Sequence, residues 1–275
     1  MLQRSETTLG TKDRMIGGFT APPTGTDFGE RMLNKVLSQS IRHLFSQCES
    51  VDVAIRCSPS SKLLQGSVDN FKMSGSRLVI RKDFFVESMS FETDAVSIDF
   101  GSVLSGKVRL RQPTQAIAQV VLTEDGINQA FTAELVQKRL QNIDTPELTN
   151  LSGGEPVSFT DINLQLLPDS RIKIFAKAEL PNGTIPISLL ATLAVERRRR
   201  ISFQNPQFNA DAVLEEVRGV SKVLTMAFAE ILDNMVDLDR FDLDGVTMRI
   251  NRLETQGKQL IFSGYAQIEH FPGSK

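Results

Sequence analysis

The 275-residue sequence has no tryptophan, one tyrosine, two cysteines, two histidines and almost no net charge, with 31 basic against 33 acidic residues. Each shortage excludes something. Without Trp and with a single Tyr there is no stacking platform for single-stranded nucleic acid, and a net charge of −2 offers a polyanion no general attraction, so nucleic acid is not an expected partner. Cys48 and Cys57 have neither CxxC spacing nor a neighbouring His pair, so they do not read as a metal site. In a reducing compartment they are expected as free, half-buried thiols. His43 and His270 stand without a nucleophile motif, since neither GxSxG nor HExxH occurs. His43 is expected on the wet face of a helix and His270 in a solvated tail.

Long apolar runs are missing too. No stretch approaches the roughly 18 residues of a transmembrane helix. Residues 1–25 are polar, carry Arg4, Glu6, Lys12, Asp13 and Arg14, and lack the apolar core of a secretory signal. The expectation is a cytoplasmic protein with a flexible arm over 1–25, holding Ala21-Pro22-Pro23-Thr24-Gly25, and a single domain over 26–275.

What is present is ordinary globular composition: 40% apolar and 23% charged residues, which excludes large-scale disorder. Asp27 with Glu30 three residues on opens a helical stripe of Phe28, Met32, Leu33, Val36, Leu37, Ile41, Leu44 and Phe45. From Val51 to Leu122 the period becomes two, most cleanly in Val96, Ile98 and Phe100 and again in Val108 and Leu110. Thr123 then caps a second helix through Ile127, Ala130, Phe131, Leu135 and Leu140, followed by a loop over 142–156 with Gly153-Gly154. A second meander alternates through Ile162 to Leu166 and Ile172 to Ala178, turns at Pro181-Asn182-Gly183, and continues through Ile185 to Leu193. A third helix is expected over Asp211–Asp237, apolar over most of its girth and therefore deeply buried. Two closing strands hold Val246, Met248 and Ile250, then Leu260, Phe262, Tyr265 and Ile268.

Strands joined by short turns cannot make right-handed parallel crossovers, so the order helix, meander, helix, meander, helix, hairpin specifies an α+β fold with antiparallel sheet. Long apolar helices against such a sheet either plug its inner face or leave a tunnel for an apolar ligand, and periodicity does not choose between them.

The motifs with catalytic overtones fail on context. Gly101 to Lys107 matches seven positions of a phosphate-binding loop, but Val108 stands where Ser or Thr must reach magnesium, and Val108 to Arg111 alternates as a strand rather than opening a helix. A hairpin connection with Lys107 on its polar side is the expected structure. The acids Asp233, Asp237, Asp239, Asp242 and Asp244 suggest calcium, yet counting from Asp239 puts Asp244 where Gly belongs and Ile250 where the bidentate Glu belongs. Helix exit and turn polarity explain them. No cofactor is implied.

The run Arg197-Arg198-Arg199-Arg200 directly follows the apolar strand ending Leu193-Ala194-Val195. Such a cluster can attract anionic lipid head groups at about 1 kcal/mol per Arg, or can simply protect a sheet edge from aggregation.

Several segments together carry a family resemblance: Phe91-Glu92-Thr93-Asp94-Ala95-Val96-Ser97-Ile98-Asp99-Phe100, Leu104-Ser105-Gly106-Lys107, Pro113-Thr114-Gln115-Ala116, Glu124-Asp125-Gly126-Ile127-Asn128, Ile231 to Leu238 and Tyr265 to Phe271. Over roughly residues 28–271 the chain resembles the LmeA-type phospholipid-binding family, and within it the cyanobacterial members carried under a domain of unknown function. The resemblance implies a tubular fold in which curved antiparallel meanders wrap long apolar helices and leave an apolar groove. The actinobacterial relatives bind phospholipid and serve envelope construction, but they are exported; the absence of a signal here points instead to a peripheral role at a cytoplasmic, inner or thylakoid membrane face.

On that basis the expected function is non-enzymatic phospholipid binding or lipid transfer. The groove candidates are Phe100, Val220, Leu224, Phe228, Ile231, Met235 and Met248, Met being suited to a deformable lining, and the membrane-facing candidates are Arg197, Arg198, Arg199 and Arg200. The alternatives are a scaffold with a plugged sheet and protein partners, or an enzyme using carboxylates near Asp237 to Asp244.

Overall fold

A computed structural model describes residues 28–42, 45–59, 61–80, 82–104, 109–240 and 245–270. The expectations for the arm over 1–25, His43, Lys107, Asp242 and Asp244 lie outside the described residues.

In chain order the elements are α1 (Phe28–Arg42), β1 (Ser50–Arg56), α2 (Ser61–Leu64), β2 (Ser67–Val68), β3 (Asn70–Ile80), β4 (Phe84–Thr93), β5 (Val96–Ser97), α3 (Phe100–Leu104), β6 (Thr114–Thr123), α4 (Glu124–Ala130), α5 (Glu134–Gln137) and α6 (Pro146–Ser152). The second half contains β7 (Ser158–Leu166), β8 (Arg171–Leu180), β9 (Gly183–Glu196), β10 (Arg200–Phe208), α7 (Arg218–Asp233), β11 (Val246–Gln256) and β12 (Gln259–Ile268). The fold is α+β, built from open antiparallel sheets. A six-stranded sheet runs β1-β3-β4-β6-β12-β11 and a four-stranded sheet β10-β9-β8-β7, with a small β2-β5 pair beside them.

The six-stranded sheet closes non-locally: β12 enters between β6 and β11, setting Leu260 opposite Leu122 and Ala266 opposite Ala116. Its inner face then reads Ala116, Ala118, Val120 and Leu122 on β6 and Leu260, Phe262, Gly264, Ala266 and Ile268 on β12, the alternation that period two requires. On β3 and β4 that phase changes once. Arg77 takes a left-handed φ of 47°, and the inward residues switch from Phe71, Met73 and Gly75 to Leu78 on β3, mirrored across the pair by Phe91 and Met89 giving way to Val86.

α1 lies on this sheet through Leu37 and Ile41, packed with Val51, Ile55, Phe71 and Met73. Asn34 Oδ1 accepts from the Ile55 N–H at 3.0 Å, fixing the helix to β1. On the four-stranded sheet, α7 buries Leu224, Phe228 and Leu232 against Ile172, Ile174 and Leu189. The Phe228 ring centroid lies 4.8 Å from that of Phe159. The tight turn occurs as expected, Leu180 pairing with Gly183 across Pro181 and Asn182.

Three expectations are corrected. The helix after Thr123 does not run to Leu140: α4 ends at Ala130, and Thr123 caps it by accepting from the Gly126 N–H at 3.0 Å. The 142–156 loop contains α6, started by Pro146 at the first turn and ended by Gly153 at φ 78°, a left-handed cap that glycine adopts without steric cost. The third helix is shorter, α7 preceded by 3₁₀ turns at Ala210–Ala212 and Glu215–Val217, and it is not buried all round. Its inward face is complete with Ser221, Leu224, Thr225, Phe228, Ala229 and Leu232, leaving Val220, Val223 and Met226 exposed.

The two sheets are fastened by polar contacts at their margins. Beside edge strand β7, Asn128 on α4 accepts from the Leu164 N–H at 2.7 Å and donates to the Leu164 carbonyl at 3.0 Å, as a neighbouring strand would. Glu124 accepts from the Leu166 N–H at 2.8 Å and forms an ion pair with Lys258 at 3.2 Å. β11 receives two of the three hairpin tips of the other sheet, those of β7–β8 and β9–β10. Thr255 Oγ1 donates to the Leu167 carbonyl at 2.7 Å and accepts from the Ser170 N–H at 3.0 Å, while the Ile250 N–H donates to the Arg198 carbonyl at 2.6 Å.

That last contact sits at an irregularity of the β11–β12 register between Ile250 and Arg252, opposite Gly264. A Cβ on Gly264 would lie 1.9 Å from the Arg249 carbonyl oxygen. Gly264→Ala is therefore expected to destabilise the protein by roughly 3 kcal/mol, at the upper end for overpacking. Gly219→Ala on α7, with nothing within 4 Å of the new carbon, should stabilise by about 0.5–1 kcal/mol through helix propensity. Urea unfolding of both variants checks the pair; equal effects would contradict the crowding at Gly264.

Candidate functional site

Between the two sheets lies a cavity of about 850 Å³. Its first wall is the inner face of the six-stranded sheet: Phe71, Met73, Met89, Phe91, Val120 and Phe262 among others. Opposite stand Ile127, Ala130 and Phe131 from α4 and the turn after it, Leu164 and Leu166 from β7, and Leu193, Ile201 and Phe203 from β9 and β10. The wall composition follows from strand alternation, because each strand delivers every second residue inward and those residues are apolar.

Side chains with polar atoms are few. Among the described lining residues they are Arg139, Arg249 and Ser263. An interior without donors or acceptors holds water poorly and suits an apolar occupant. The volume falls within the roughly 300–1,000 Å³ of small-molecule pockets.

The wall reaches the surface at Leu135, which is 51% exposed. Beside it the chain leaving α7 supplies Met235, Val236 and Leu238 to the lining. Arginines hold this segment in place. Arg139 donates to the Met235 carbonyl at 3.4 Å. Asp239 accepts from Arg199 and, at 2.6 Å, from Arg249. The Arg199 hydrogen bond, then that of Arg249, pulls the Asp239 carboxyl below its ordinary 3.8. The same contact with Asp239, reinforced by the charge of Asp237, raises Arg199.

The expected site residues divide. Met235 and Met248 line the cavity. Leu224 and Phe228 instead lie fully buried in the core under the four-stranded sheet, with Ile231 packed against that same core. Phe100 packs against the other core, and Val220 is 41% exposed on the outer face of α7. The arginine run forms the β9–β10 turn. Arg197 and Arg198 are exposed at its tip, with left-handed φ values of 48° and 59°. Arg199 and Arg200 are engaged with carboxylates, Arg199 with Asp239 and Arg200 with Asp233 and, at 3.8 Å, Glu196. Asp233 and Asp239 thus serve as arginine partners, and among the described residues no His, Cys, Asp or Glu cluster could hold a metal ion. Neither Cys48 nor Cys57 is in a disulfide; the first is half-buried and the second buried, its Sγ donating to the Ser67 carbonyl at 3.2 Å.

Missed altogether were Arg139, Arg249 and the phenylalanines at 45, 71, 84, 91, 131, 203 and 262 that line the cavity. One signal for them exists: the composition holds 17 Phe against one Tyr and no Trp, aromatic bulk almost stripped of the polar handle that Tyr and Trp carry into cores. Arg249 had no signal, since it reads as an outward residue between Met248 and Ile250.

An α+β protein with a ligand-sized apolar cavity between antiparallel sheets, and with Arg139 and Arg249 in its lining, has the geometry of a small-molecule binding site. The chain belongs to the LmeA-like phospholipid-binding family, whose family model matches residues 24–264. A search of the curated proteins finds no match. Among the described residues no helix is long and apolar enough to cross a membrane.

Because the folded Asp239 carboxyl titrates below 3.8, its stabilising contribution is complete above that pH and is lost as pH falls through the lower folded value. Asp239→Asn removes it at every pH. Thermal melts of wild type and variant are therefore expected to differ at neutral pH and to converge in acid well below pH 3.8; a pH-independent gap would show that the carboxylate charge is not what ties the segment.

Proposed function

We propose that the protein is a non-enzymatic phospholipid carrier that takes acyl chains into the cavity between its sheets and exchanges them at a membrane surface, acting peripherally on an inner or thylakoid membrane from the cytoplasmic side. The observation that carries this reading is the cavity itself: about 850 Å³, walled by apolar side chains from both sheets, in a chain of a phospholipid-binding family. A tube-like enclosure of lipid by curved sheets, as the family resemblance implies, is consistent with walls drawn from both sheets. The lining also supports a role without catalysis. Its titratable side chains among the described residues are Arg139 and Arg249, neither of which works as a general acid or base at neutral pH.

For the membrane encounter, Arg197 and Arg198 are the members of the run that face solvent, and their turn docks on β11 next to Arg249 of the cavity wall. A scaffold reading draws support from one feature, the exposed stripe of Leu214, Val220, Val223 and Met226 along α7 and the turn before it, which would suit a protein partner.

Organic extraction of the purified protein followed by lipid mass spectrometry is expected to find stoichiometric phospholipid. Met235→Trp, which pushes bulk into the cavity from its mouth, should cut bound lipid at least by half while the protein stays folded. An empty wild type that also takes up nothing from added liposomes would move the reading to the scaffold. Arg197→Ala with Arg198→Ala should weaken binding to anionic vesicles by about 2 kcal/mol, roughly 30-fold; unchanged binding would remove the turn from the membrane contact.

A further inference from the structure

We infer that Arg139 and Arg249 form the phosphate site of the bound lipid and give the protein a preference for anionic phospholipids; this rests on the carrier reading above. Both arginines belong to the lining of a cavity that otherwise presents almost no polar side chain, so a ligand reaching from the apolar interior to the mouth meets guanidinium as its polar contact. Both also grip the same short segment, Arg139 at the Met235 carbonyl and Arg249 at the Asp239 carboxylate.

These are replaceable partners. The Arg139 bond is long, at 3.4 Å, and goes to a neutral carbonyl. Arg249 shares its carboxylate with Arg199. A guanidinium has five N–H donors in a planar fork, and neither residue spends more than a part of that capacity here. A phosphodiester entering the mouth offers two charged oxygens to the fork, a stronger acceptor than a carbonyl, and the chain over 235–239 is the piece that yields or stays as it binds.

The local charge favours an anion. Around the segment stand Arg139, Arg198, Arg199, Arg200 and Arg249 against Glu196, Asp233, Asp237 and Asp239, with the neighbouring Lys138 and Glu134 paired to each other. The surplus is positive, and no carboxylate appears in the described lining to receive the amine or quaternary nitrogen of a zwitterionic head group. A net-negative phospholipid satisfies the mouth; a zwitterionic one brings a cation that no carboxylate of the described lining meets, and a neutral diacylglycerol leaves the arginines on their resting contacts.

The test is competitive uptake by the intact protein from mixed vesicles of phosphatidylglycerol, phosphatidylcholine and diacylglycerol, with glycerol 3-phosphate as a soluble competitor. Wild type is expected to enrich phosphatidylglycerol over both other lipids, and Arg139→Gln and Arg249→Gln each to shift the phosphatidylglycerol-to-diacylglycerol ratio by about tenfold toward diacylglycerol, the scale of one lost charged hydrogen bond. Arg139→Lys, keeping charge without the fork, should recover only part of that ratio. Losing both lipids in parallel would make the arginines structural and overturn the phosphate site, as would an unchanged ratio. Displacement of lipid by equimolar glycerol 3-phosphate would also overturn it, by assigning the site to a soluble phosphoester. A wild type that takes up diacylglycerol without preferring phosphatidylglycerol fails this inference alone, whereas one that takes up no lipid fails the carrier reading beneath it.

Discussion

Everything in this fold depends on two sheets being held apart by directional hydrogen bonds at their margins while the middle stays unfilled. Apolar packing alone pulls facing sheets together to about 10 Å and fills the space between them with interdigitated side chains. Here polar pins at fixed lengths act beside the apolar contact that Ile250 and Leu260 make with the core of the four-stranded sheet. Asn128 and Glu124 anchor α4 along β7, Thr255 catches the β7–β8 turn, and Arg198 rests its carbonyl on the Ile250 N–H. With those distances fixed, the phenylalanines and methionines between the sheets face one another across a gap.

That gap has an energetic meaning. Cavities left by truncating core side chains cost about 24 cal/mol per Å³, a rate that would make 850 Å³ cost on the order of 20 kcal/mol, above the roughly 5–15 kcal/mol by which whole domains are stable. The coefficient applies to closed cavities, and this one has an exposed lining residue in Leu135, so it sets a ceiling. Even a fraction of it is large enough that an apolar occupant would stabilise the folded state appreciably. The described walls offer water few polar side chains, those of Arg139, Arg249 and Ser263.

Local pattern carried much of the architecture in the sequence. Ile172, Ile174, Ala176 and Ala178 alternate because one face of β8 is core, and Thr123 announces α4 because an extended Ser or Thr before a helix caps it. What the sequence withheld was non-local. Nothing in Leu260 to Ile268 says that this strand slots between β6 and β11, and cavity membership follows from that placement. Hence Leu224 and Phe228, the most apolar positions of the strongest helix, turned out to be solid core, while Phe71 and Phe262, unremarkable within their strands, face the cavity. The outward stripe of α7 differs for a related reason: an apolar residue signals burial against something, and Val220 and Met226 stay exposed among the described residues. The arginine run drew attention by its density, but density is not freedom, since Arg199 and Arg200 are neutralised by carboxylates far along the chain.

The insertion of β12 beside β6 also sets a schedule for synthesis. The first four strands of the large sheet are made early, yet β6 keeps an unpaired edge until residue 268 has emerged, 145 residues after β6 ends at Thr123. At translation rates of about 5 to 20 residues per second the nascent chain carries that open edge, and the apolar face behind it, for roughly 7 to 30 s. An edge of that kind is a template for pairing with another chain. The four-stranded sheet of β7 to β10 is made within that interval, so it is complete before the hairpin that covers the β6 edge.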